Sequence, residues 1–453
     1  MLNEKNLGRI EQEKEMSEDV RFCLERAKEL FPEMKENYID FHQHPELGGE
    51  EFETAKKVEA YLKSLDIEIV GTNIGVEYDR QGKKSPGGGT GIVAIIRGSG
   101  EGKSVLLRAD MDALPIQENP NNPYPSKNPG VSHACGHDAH TAGLMGAAKI
   151  LKERADAGRL KGDVILLFQP SEEKAYQKES GAIQMVRFLE EKRLRENAGA
   201  VFGLHVYTDL ERGEINLKEG MQWGSSGELD IVLKADGGHV MNAYEIPNIK
   251  EVDAAITVEL GKLFKERSKV EEGGALIAST GTDFSVGGYN IVRSESTATW
   301  VVRITSPEYK KMSNEIYEEI NAVVKQEVEK HLKDRKGTID VEINRRHGYR
   351  PGVHRDANLV KLAEQTIKQT VANATIKGEI FKGGEDFAFY LEKFRDKQID
   401  GIFMMIGAAN TEKRIKKGPH HTPNFQIDTE VLTELAATHS SFVMNYFDNQ
   451  LTS

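Results

Sequence analysis

The chain has 453 residues and a formal net charge of −12 at pH 7. This length predicts two or three domains with sizeable buried cores, and the acidic balance excludes a domain-wide basic surface for nucleic acid. The longest apolar runs, such as Val164–Phe168, are far too short to cross a bilayer, so we expect no membrane partner.

The cellular location is predicted from the cysteines and the first residues. Two cysteines, Cys23 and Cys135, are too few for a disulfide framework. The first sixteen residues are charged from the start and lack the apolar segment of a secretory signal. We therefore expect a reducing compartment, and the cytoplasm is the expected location.

The first part of the chain alternates between helical and strand patterns. Helical spacing covers Asp19–Phe41 and Glu50–Asp66. A glycine turn at 87–89 opens a strand, Thr90–Arg97, and not a helix, which argues against a phosphate-binding loop. Further elements are expected at Ser104–Ala109, Cys135–Lys152, Asp163–Gln169 and Ala200–His205. This alternation predicts an α/β domain with a mostly parallel central sheet.

A different pattern begins near residue 224. Strand, helix, strand, strand and helix are predicted at Glu228–Ala235, Val252–Glu266, Ala275–Val286, Glu295–Ile304 and Pro307–Lys333. This order indicates a small ferredoxin-like α+β module. The segments Thr338–Asn344, Asn358–Val371 and Ile402–Ile406 then return to the α/β pattern. We therefore expect a catalytic domain formed by residues 1–223 and 337–453, split by an inserted domain at 224–336.

Metal-binding side chains are concentrated in the segment 133–140, which reads HACGHDAH. A thiolate and an imidazole two residues apart, as in Cys135 and His137, can reach one ion across a glycine turn. The alternative is a free buried cysteine beside helix-capping residues. The neighbouring histidines and aspartate make a metal site the preferred interpretation.

Two adjacent carboxylates, Glu172 and Glu173, follow the buried strand Asp163–Gln169. Such a pair is costly to bury unless a cation or a proton compensates it. One carboxylate can then bind a metal while the other accepts a proton from a water molecule. The alternative is a solvated acidic turn with Lys174.

Other candidate ligands also follow strands. Asp110 and Asp112 come after one strand, His205 after another, and His420 and His421 stand in a C-terminal loop. Cys135, His137, Glu173, His205 and one of the two C-terminal histidines make five donors. Five protein ligands exceed the usual four of a closed zinc site and suit two ions that share one ligand.

Seven motifs between residues 40 and 430 resemble those of the metal-dependent amidohydrolases of the aminoacylase/carboxypeptidase superfamily. The subgroup resembled most contains hippurate hydrolase, the indole-3-acetyl-amino-acid hydrolases and aminobenzoyl-glutamate hydrolase. The motifs are DFHQHPELGGEEFETA, RADMDALPI, HACGHDAH, FQPSEE, GLHV, GGEDFAFY and HHTPNFQID. The combination of CGHDAH with QPSEE at this spacing is highly specific.

The resemblance implies a complete set of metal ligands. Cys135 bridges two divalent ions, and His137, Glu173, His205 and His421 complete their coordination. Zinc or manganese is the expected metal, and cobalt or nickel also suit this donor set.

The resemblance also implies the roles of two further carboxylates. Glu172 is the general base, and Asp112 orients the metal centre from behind. The ions lower the pKa of a water molecule and polarise the amide carbonyl, while Glu172 moves the proton to the leaving nitrogen. The expected substrate is an N-acyl or aroyl amino acid, cleaved to a free amino acid and a carboxylic acid.

Within the inserted domain, the resemblance implies a lid that also forms a homodimer. His239 matches a histidine that reaches a neighbouring active site, and Asn290 matches an asparagine near the substrate carboxylate. The residues that follow both positions depart from the family pattern, which leaves substrate preference open. Arg346 and Arg350 are further candidates for binding a carboxylate.

Three alternatives remain open at this point. One is a dipeptidase or carboxypeptidase acting on small peptides with the same chemistry. Another is a cysteine hydrolase with Cys135 as nucleophile and His137 or His205 as base. The last is a binding protein that keeps the fold without catalysis.

Overall fold

The computed structural model describes residues 16–75, 89–174, 180–265, 273–381, 383–394, 397–413, 415 and 420–450, so the predicted glycine turn at 87–88 lies outside it. A short 3₁₀ helix spans Val240–Asn242. The α-helices are α1 (Glu18–Glu29), α2 (Phe31–Gln43), α3 (Phe52–Ser64), α4 (His137–Asp156), α5 (Gly181–Glu191), α6 (Ile249–Lys265), α7 (Tyr309–Leu332), α8 (Ala357–Thr370), α9 (Ala388–Leu391) and α10 (Val431–Gln450).

The strands alternate with these helices along most of the chain. They are β1 (Glu68–Ile74), β2 (Gly91–Ile96), β3 (Ser104–Asp110), β4 (Val164–Gln169), β5 (Ala198–Glu211), β6 (Glu214–Asn216), β7 (Gly220–Trp223), β8 (Ser225–Lys234), β9 (Gly238–His239), β10 (Ala275–Phe284), β11 (Ile291–Val292), β12 (Glu295–Ile304), β13 (Asp340–His347), β14 (Gly352–His354), β15 (Thr375–Lys377) and β16 (Gly401–Ala409).

The chain divides into two units. The larger unit comprises the described residues up to Gly220, residues 354–379 and those from Asp386 onward. The smaller unit comprises residues 221–353 and 380–385. These units are groups of mutual contacts, and the domain limits at 223/224 and 336/337 stay a prediction. None of the helices described is long and apolar enough to span a membrane.

The larger unit is built on a sheet of eight described strands in the order β1-β2-β4-β3-β5-β16-β6-β15. The central strands β4, β3, β5 and β16 run parallel to one another. β2, β3, β4 and β16 are buried along their whole length, as expected for strands covered on both faces. The predicted α/β fold with a mostly parallel central sheet is therefore confirmed.

Small residues on α4 allow neighbouring helices to pack closely against it. A Cβ on Gly143 would lie 2.7 Å from Leu435 Cβ of α10, and one on Gly146 would lie 2.3 Å from Met34 Sδ of α2. Interiors packed at this density hold their elements in place. The packing therefore fixes the position of the helix that begins at His137.

The helical spacing predicted for Asp19–Phe41 proves to be two helices separated at Leu30. Pro32 stands in the first turn of α2. A proline has no N–H to donate to a preceding turn, and it disfavours helical backbone in the residue before it. The apolar periodicity continues through the break, which is why the pattern alone did not reveal it.

The smaller unit contains a four-stranded antiparallel sheet in the order β10-β12-β8-β13. With α6 and α7 it forms the strand and helix order β-α-β-β-α-β, and their apolar side chains share a separate core. The predicted ferredoxin-like module is confirmed, with one correction. The sequence pattern predicts Thr338–Asn344 as part of the returning α/β segment, but β13 pairs with β8 from Asp340↔Lys234 to His347↔Gly227. β13 is a mostly exposed edge strand, so its sequence does not show which sheet it joins.

Candidate metal centre

The thiol of Cys135 and the imidazole of His137 lie at the start of α4. Gly136 between them has φ +88°, and a Cβ there would lie 2.3 Å from the Val206 side chain. Glycine is required at this position for two reasons. Other residues rarely adopt this backbone conformation, and the site has no room for a Cβ. The tight turn directs both donor side chains to the same side of the helix end.

Asp112 joins this helix end to the acidic turn after β4. Its Oδ1 accepts a hydrogen bond from His137 Nδ1 at 3.2 Å and another from the Glu172 backbone N–H at 3.0 Å. Its Oδ2 accepts from the Glu173 backbone N–H, also at 3.0 Å. Asp112 is buried, so it fixes the His137 tautomer and leaves Nε2 as the nitrogen available to an ion.

The acidic turn itself is held in a strained backbone conformation. Ser171, the residue before Glu172, has φ +52°. Left-handed backbone at a residue with a Cβ costs about 1–2 kcal/mol, and such strain is concentrated at functional sites. Glu172 is buried, and its Oε1 lies 3.4 Å from the Asp386 backbone nitrogen.

His205 presents one nitrogen to the thiol. Its Nδ1 donates to the Val206 carbonyl at 2.6 Å, and its Nε2 lies 3.5 Å from Cys135 Sγ. The sequence pattern predicts His205 just beyond the end of a strand. In the structure His205 lies within β5. The pairing of β5 with β3 ends at Gly203, but β5 continues along β16, so His205 still lies at the carboxyl edge of β3.

The two C-terminal histidines have different surroundings. His421 has φ +62°, and its Nε2 lies 3.1 Å from Glu173 Oε1. His420 accepts a hydrogen bond at Nε2 from the Thr208 backbone and stacks on the Tyr207 ring. Only His421 therefore has a ring nitrogen directed at the acidic turn.

The donors form two groups that share the Cys135 thiol. One group is Cys135, His137 and His205, and the other is Cys135, Glu173 and His421, with ligand atoms within 4.8 Å of one another in each. His137 Nε2 is buried and has no hydrogen-bond partner among the described residues. These residues fit two cations bridged by a thiolate, because each ion would have soft and nitrogen donors typical of zinc sites.

His140 has no free nitrogen for an ion. Its Nδ1 donates to Asp110 Oδ1 at 2.6 Å, and its Nε2 accepts from the Val206 backbone N–H at 2.9 Å. This imidazole connects α4 to the ends of β3 and β5. These contacts explain the presence of His140 in the motif, whereas both ring nitrogens of the buried His133 have no hydrogen-bond partner among the described residues.

The electrostatic environment of the centre is strongly negative. Burial raises the pKa of the Cys135 thiol well above its usual range, and the carboxylates of Glu173 and Glu172 raise it further. Burial lowers the pKa of His137, but Asp110 and Asp112 outweigh it and raise the pKa to about 10. Carboxylates gathered at this density favour the binding of a cation.

A charge network that the sequence pattern does not predict lies beneath the centre. The buried Arg108 guanidinium donates to Asp110 at 2.7 Å, to Asp386 at 2.9 Å and to Gln169 at 2.9 Å. Arg108 and Asp386 are 278 residues apart, so no local pattern connects them. Arg108 and Asp386 stand in the motifs RADMDALPI and GGEDFAFY, and these motifs are the sequence feature that could have indicated both residues.

Glu51 stands in the motif HPELGGEE, but the sequence pattern does not predict its contacts. Its Oε1 accepts from the Ser171 backbone N–H at 2.8 Å, and its Oε2 is hydrogen-bonded to the Thr90 hydroxyl. Burial and the nearby Asp112 carboxylate raise the pKa of Glu51 to about 8. The Glu51 side chain therefore holds the strained residue that precedes Glu172.

The two predicted residues of the inserted module, His239 and Asn290, belong to the smaller unit. β9 and β11 form a two-stranded ribbon in which His239 pairs with Ile291, and the Val240 N–H donates to the Asn290 carbonyl. Both side chains are exposed. The structure brings these two residues together on one ribbon, and their roles stay a prediction.

A parallel α/β unit with a shared-thiolate donor set and an adjacent buried carboxylate defines the class of two-metal hydrolases. The family model of peptidase family M20/M25/M40 matches residues 106–445. The chain belongs to this family. The predicted enzyme class, a metal-dependent amidohydrolase, is thereby confirmed.

Three known proteins match this chain over most of their own lengths. The N-acetylcysteine deacetylase of Bacillus subtilis is 32% identical, covering 87% of this chain and 91% of that protein. The IAA-amino acid hydrolase ILR1-like 5 of Arabidopsis thaliana is 31% identical, covering 89% and 84%. A Bacillus subtilis structure described as a dinuclear metal binding peptidase from the M20 family has a TM-score of 0.69 and 28% identity, covering 93% and 99%.

Replacing Glu51 with glutamine should flatten the pH dependence of stability. The folded chain binds the Glu51 proton more tightly than the unfolded chain, whose carboxyl titrates near 4.5. The stability that this proton contributes is complete below pH 4.5 and is lost as the pH rises through about 8. Urea unfolding between these pH values measures the effect.

The matched control is Glu53→Gln, which removes an exposed carboxylate two residues further along, in the first turn of α3. This variant should follow the wild-type pH profile. Identical profiles for wild type and Glu51→Gln would contradict the assignment of a protonated Glu51.

Proposed function

We propose that this protein hydrolyses the amide bond of N-acyl or aroyl amino acids and releases a free amino acid and a carboxylic acid. The observation that carries the proposal is the buried Glu172 carboxylate beside two donor groups that share Cys135. Relatives named as an N-acetylcysteine deacetylase and an IAA-amino acid hydrolase support an acylated amino acid as the substrate class.

Cys135, His137, Glu173, His205 and His421 would hold two divalent ions. When bound, these ions supply Lewis acidity, which lowers the pKa of a water molecule and polarises the amide carbonyl. Zinc or manganese is the proposed metal, and cobalt or nickel also suit the donors. Asp112 keeps His137 in the required tautomer and fixes the backbone of both glutamates.

Glu172 acts as the general base in this proposal. It accepts a proton from the attacking water and then delivers that proton to the leaving nitrogen, so the amine departs neutral. Its backbone is held by Asp112, and its side chain is buried, which keeps the carboxylate directed at the donors. A protein that only bound the substrate would not need this carboxylate.

The exposed ribbon residues extend the proposal to the substrate and the assembly. We propose that His239 reaches the active site of a partner subunit in a homodimer and that Asn290 binds the substrate carboxylate. Met241 and Tyr244, beside His239, are 80% and 82% exposed, as expected of side chains that another surface covers. The two buried, unpaired cysteines support a cytoplasmic location.

Sedimentation velocity at graded protein concentrations tests the homodimer. We expect a dimer at micromolar concentration that Tyr244→Glu converts to monomer, because a carboxylate would be buried unpaired in the interface. Phe52→Glu, which makes the same kind of change at an exposed apolar position of the larger unit, is the control and should leave the dimer intact. A monomeric wild-type protein would contradict the proposal.

Glu172→Gln tests the catalytic assignment. The variant should retain the wild-type metal content, measured by elemental analysis, while turnover of hippurate and acyl-amino acids falls by about 10²–10⁴-fold because the base is lost. Glu173→Gln is the comparison, since it should lower the metal content itself.

Treating the wild-type enzyme with a chelator should abolish turnover, and adding zinc, manganese or cobalt should restore it. Turnover that survives chelation would favour a cysteine hydrolase, and near-wild-type turnover by Glu172→Gln would refute its role as base. Faster cleavage of dipeptides than of acyl-amino acids would replace the proposed substrate class with that of a peptidase.

A further inference from the structure

The smaller unit contains a cavity of about 320 Å³ that the proposed reaction does not use. It lies between the first turns of α7 and the ends of strands β8, β12 and β13. Its volume is at the lower end of the range for small-molecule sites. Its floor is apolar, formed by the buried side chains of Leu229, Ile304, Ile316 and Ile320.

Arg345 stands at the wall of this cavity in an unusual environment. It pairs in register with Leu229, so its side chain lies on the sheet face that packs against α7. The guanidinium lies 4.6 Å from the Tyr317 ring centroid and donates to Ser313 Oγ at 2.7 Å and Asn314 Oδ1 at 3.1 Å. All of these partners are neutral, and Arg345 forms no ion pair within the described part of the chain.

The neighbouring Arg346 shows the contrast. It alternates to the opposite sheet face, where it pairs with Glu228 at 3.2 Å and with Asp230 at 2.7 Å. Glu228 is the only acidic residue among the described residues that line the cavity, and it is therefore already paired with a second arginine. The charge of Arg345 remains uncompensated beside a largely apolar space.

We propose that this cavity is a binding site for a small monocarboxylate with an apolar body. A guanidinium already held by stacking and two hydrogen bonds is pre-organised to receive a carboxylate, which it binds through parallel N–H donors. The apolar floor would cover the rest of the ligand. An inorganic anion would gain the charge interaction but would leave the floor unfilled. The proposal does not depend on the proposed catalytic function.

Both tryptophans of the chain, Trp223 and Trp300, belong to the smaller unit and provide the readout. The Trp223 indole donates to the carbonyl of Arg350, which lines the cavity. Titration of the metal-loaded enzyme with benzoate should therefore change the tryptophan fluorescence saturably. Because benzoate is also a product of the proposed cleavage of aroyl amino acids, binding in this cavity is the part that Arg345→Gln removes. Calorimetric titration supplies the affinity. Benzamide, which lacks the charge, and inorganic phosphate, which lacks the apolar body, should bind at least about tenfold weaker, the loss expected from about 1.4 kcal/mol.

Arg345→Gln should weaken benzoate binding by at least the same factor. Lys325→Gln, which removes a positive charge from an exposed position of α7 outside the cavity lining, should not. Ser313→Phe, which fills the cavity without changing its charge, should also abolish binding. Wild-type affinity in Arg345→Gln, phosphate binding as tight as that of benzoate and equally lost in Arg345→Gln, or no binding by the wild-type enzyme would each overturn the proposal. Unchanged turnover of acyl-amino acids by Arg345→Gln would keep this site distinct from the catalytic one.

Discussion

The carboxylate of Asp112 is the interaction on which the proposed site depends. Three groups from two separate segments donate to it: the His137 ring and the backbone N–H groups of Glu172 and Glu173. One side chain just after β3 thus fixes a proposed metal donor, the proposed base and a second proposed donor relative to one another. Metal binding and proton transfer require their side chains to be held to well below about 1 Å. A support that these three residues share holds them in this way.

The surrounding network explains why this arrangement is tolerated in the interior. Carboxylates at Asp110, Asp112, Glu172 and Glu173 would repel one another in a low-dielectric environment. The buried guanidinium of Arg108 balances part of this charge, and a proton on Glu51 removes another part. The remaining charge is available to cations, so we expect metal binding to stabilise the folded form of this region.

Strain and close packing support the same centre. Ser171 and His421 both have left-handed backbone without being glycine, and each lies in the turn or loop that presents a donor. Strain of this kind persists only where the surroundings over-determine the conformation. Glu51 provides that constraint for Ser171, and the N–H of His421 donates to the Ala134 carbonyl at 2.8 Å.

The sequence predicts which side chains lie near one another where these are close in the chain or follow neighbouring strands. The motif around Cys135 and the pair Glu172–Glu173 were visible because parallel strands present their carboxyl ends at one edge. Long-range partners were not visible: Arg108 with Asp386, Glu51 with Ser171, and β13 with β8. Their local sequences fit several environments equally well, and only the tertiary structure selects one.

Zinc affinity of Asp112→Asn, measured by competition with a chelator of known affinity, tests the central role of Asp112 most directly. An asparagine of the same shape must direct its amide N–H₂ at a group that also donates, so His137 and the acidic turn lose their common support. We expect zinc to bind about 10–100-fold more weakly while the fold is retained, and Asp156→Asn, at an exposed position, to bind zinc as the wild type does. Wild-type affinity in Asp112→Asn would contradict the claim that this carboxylate organises the metal centre.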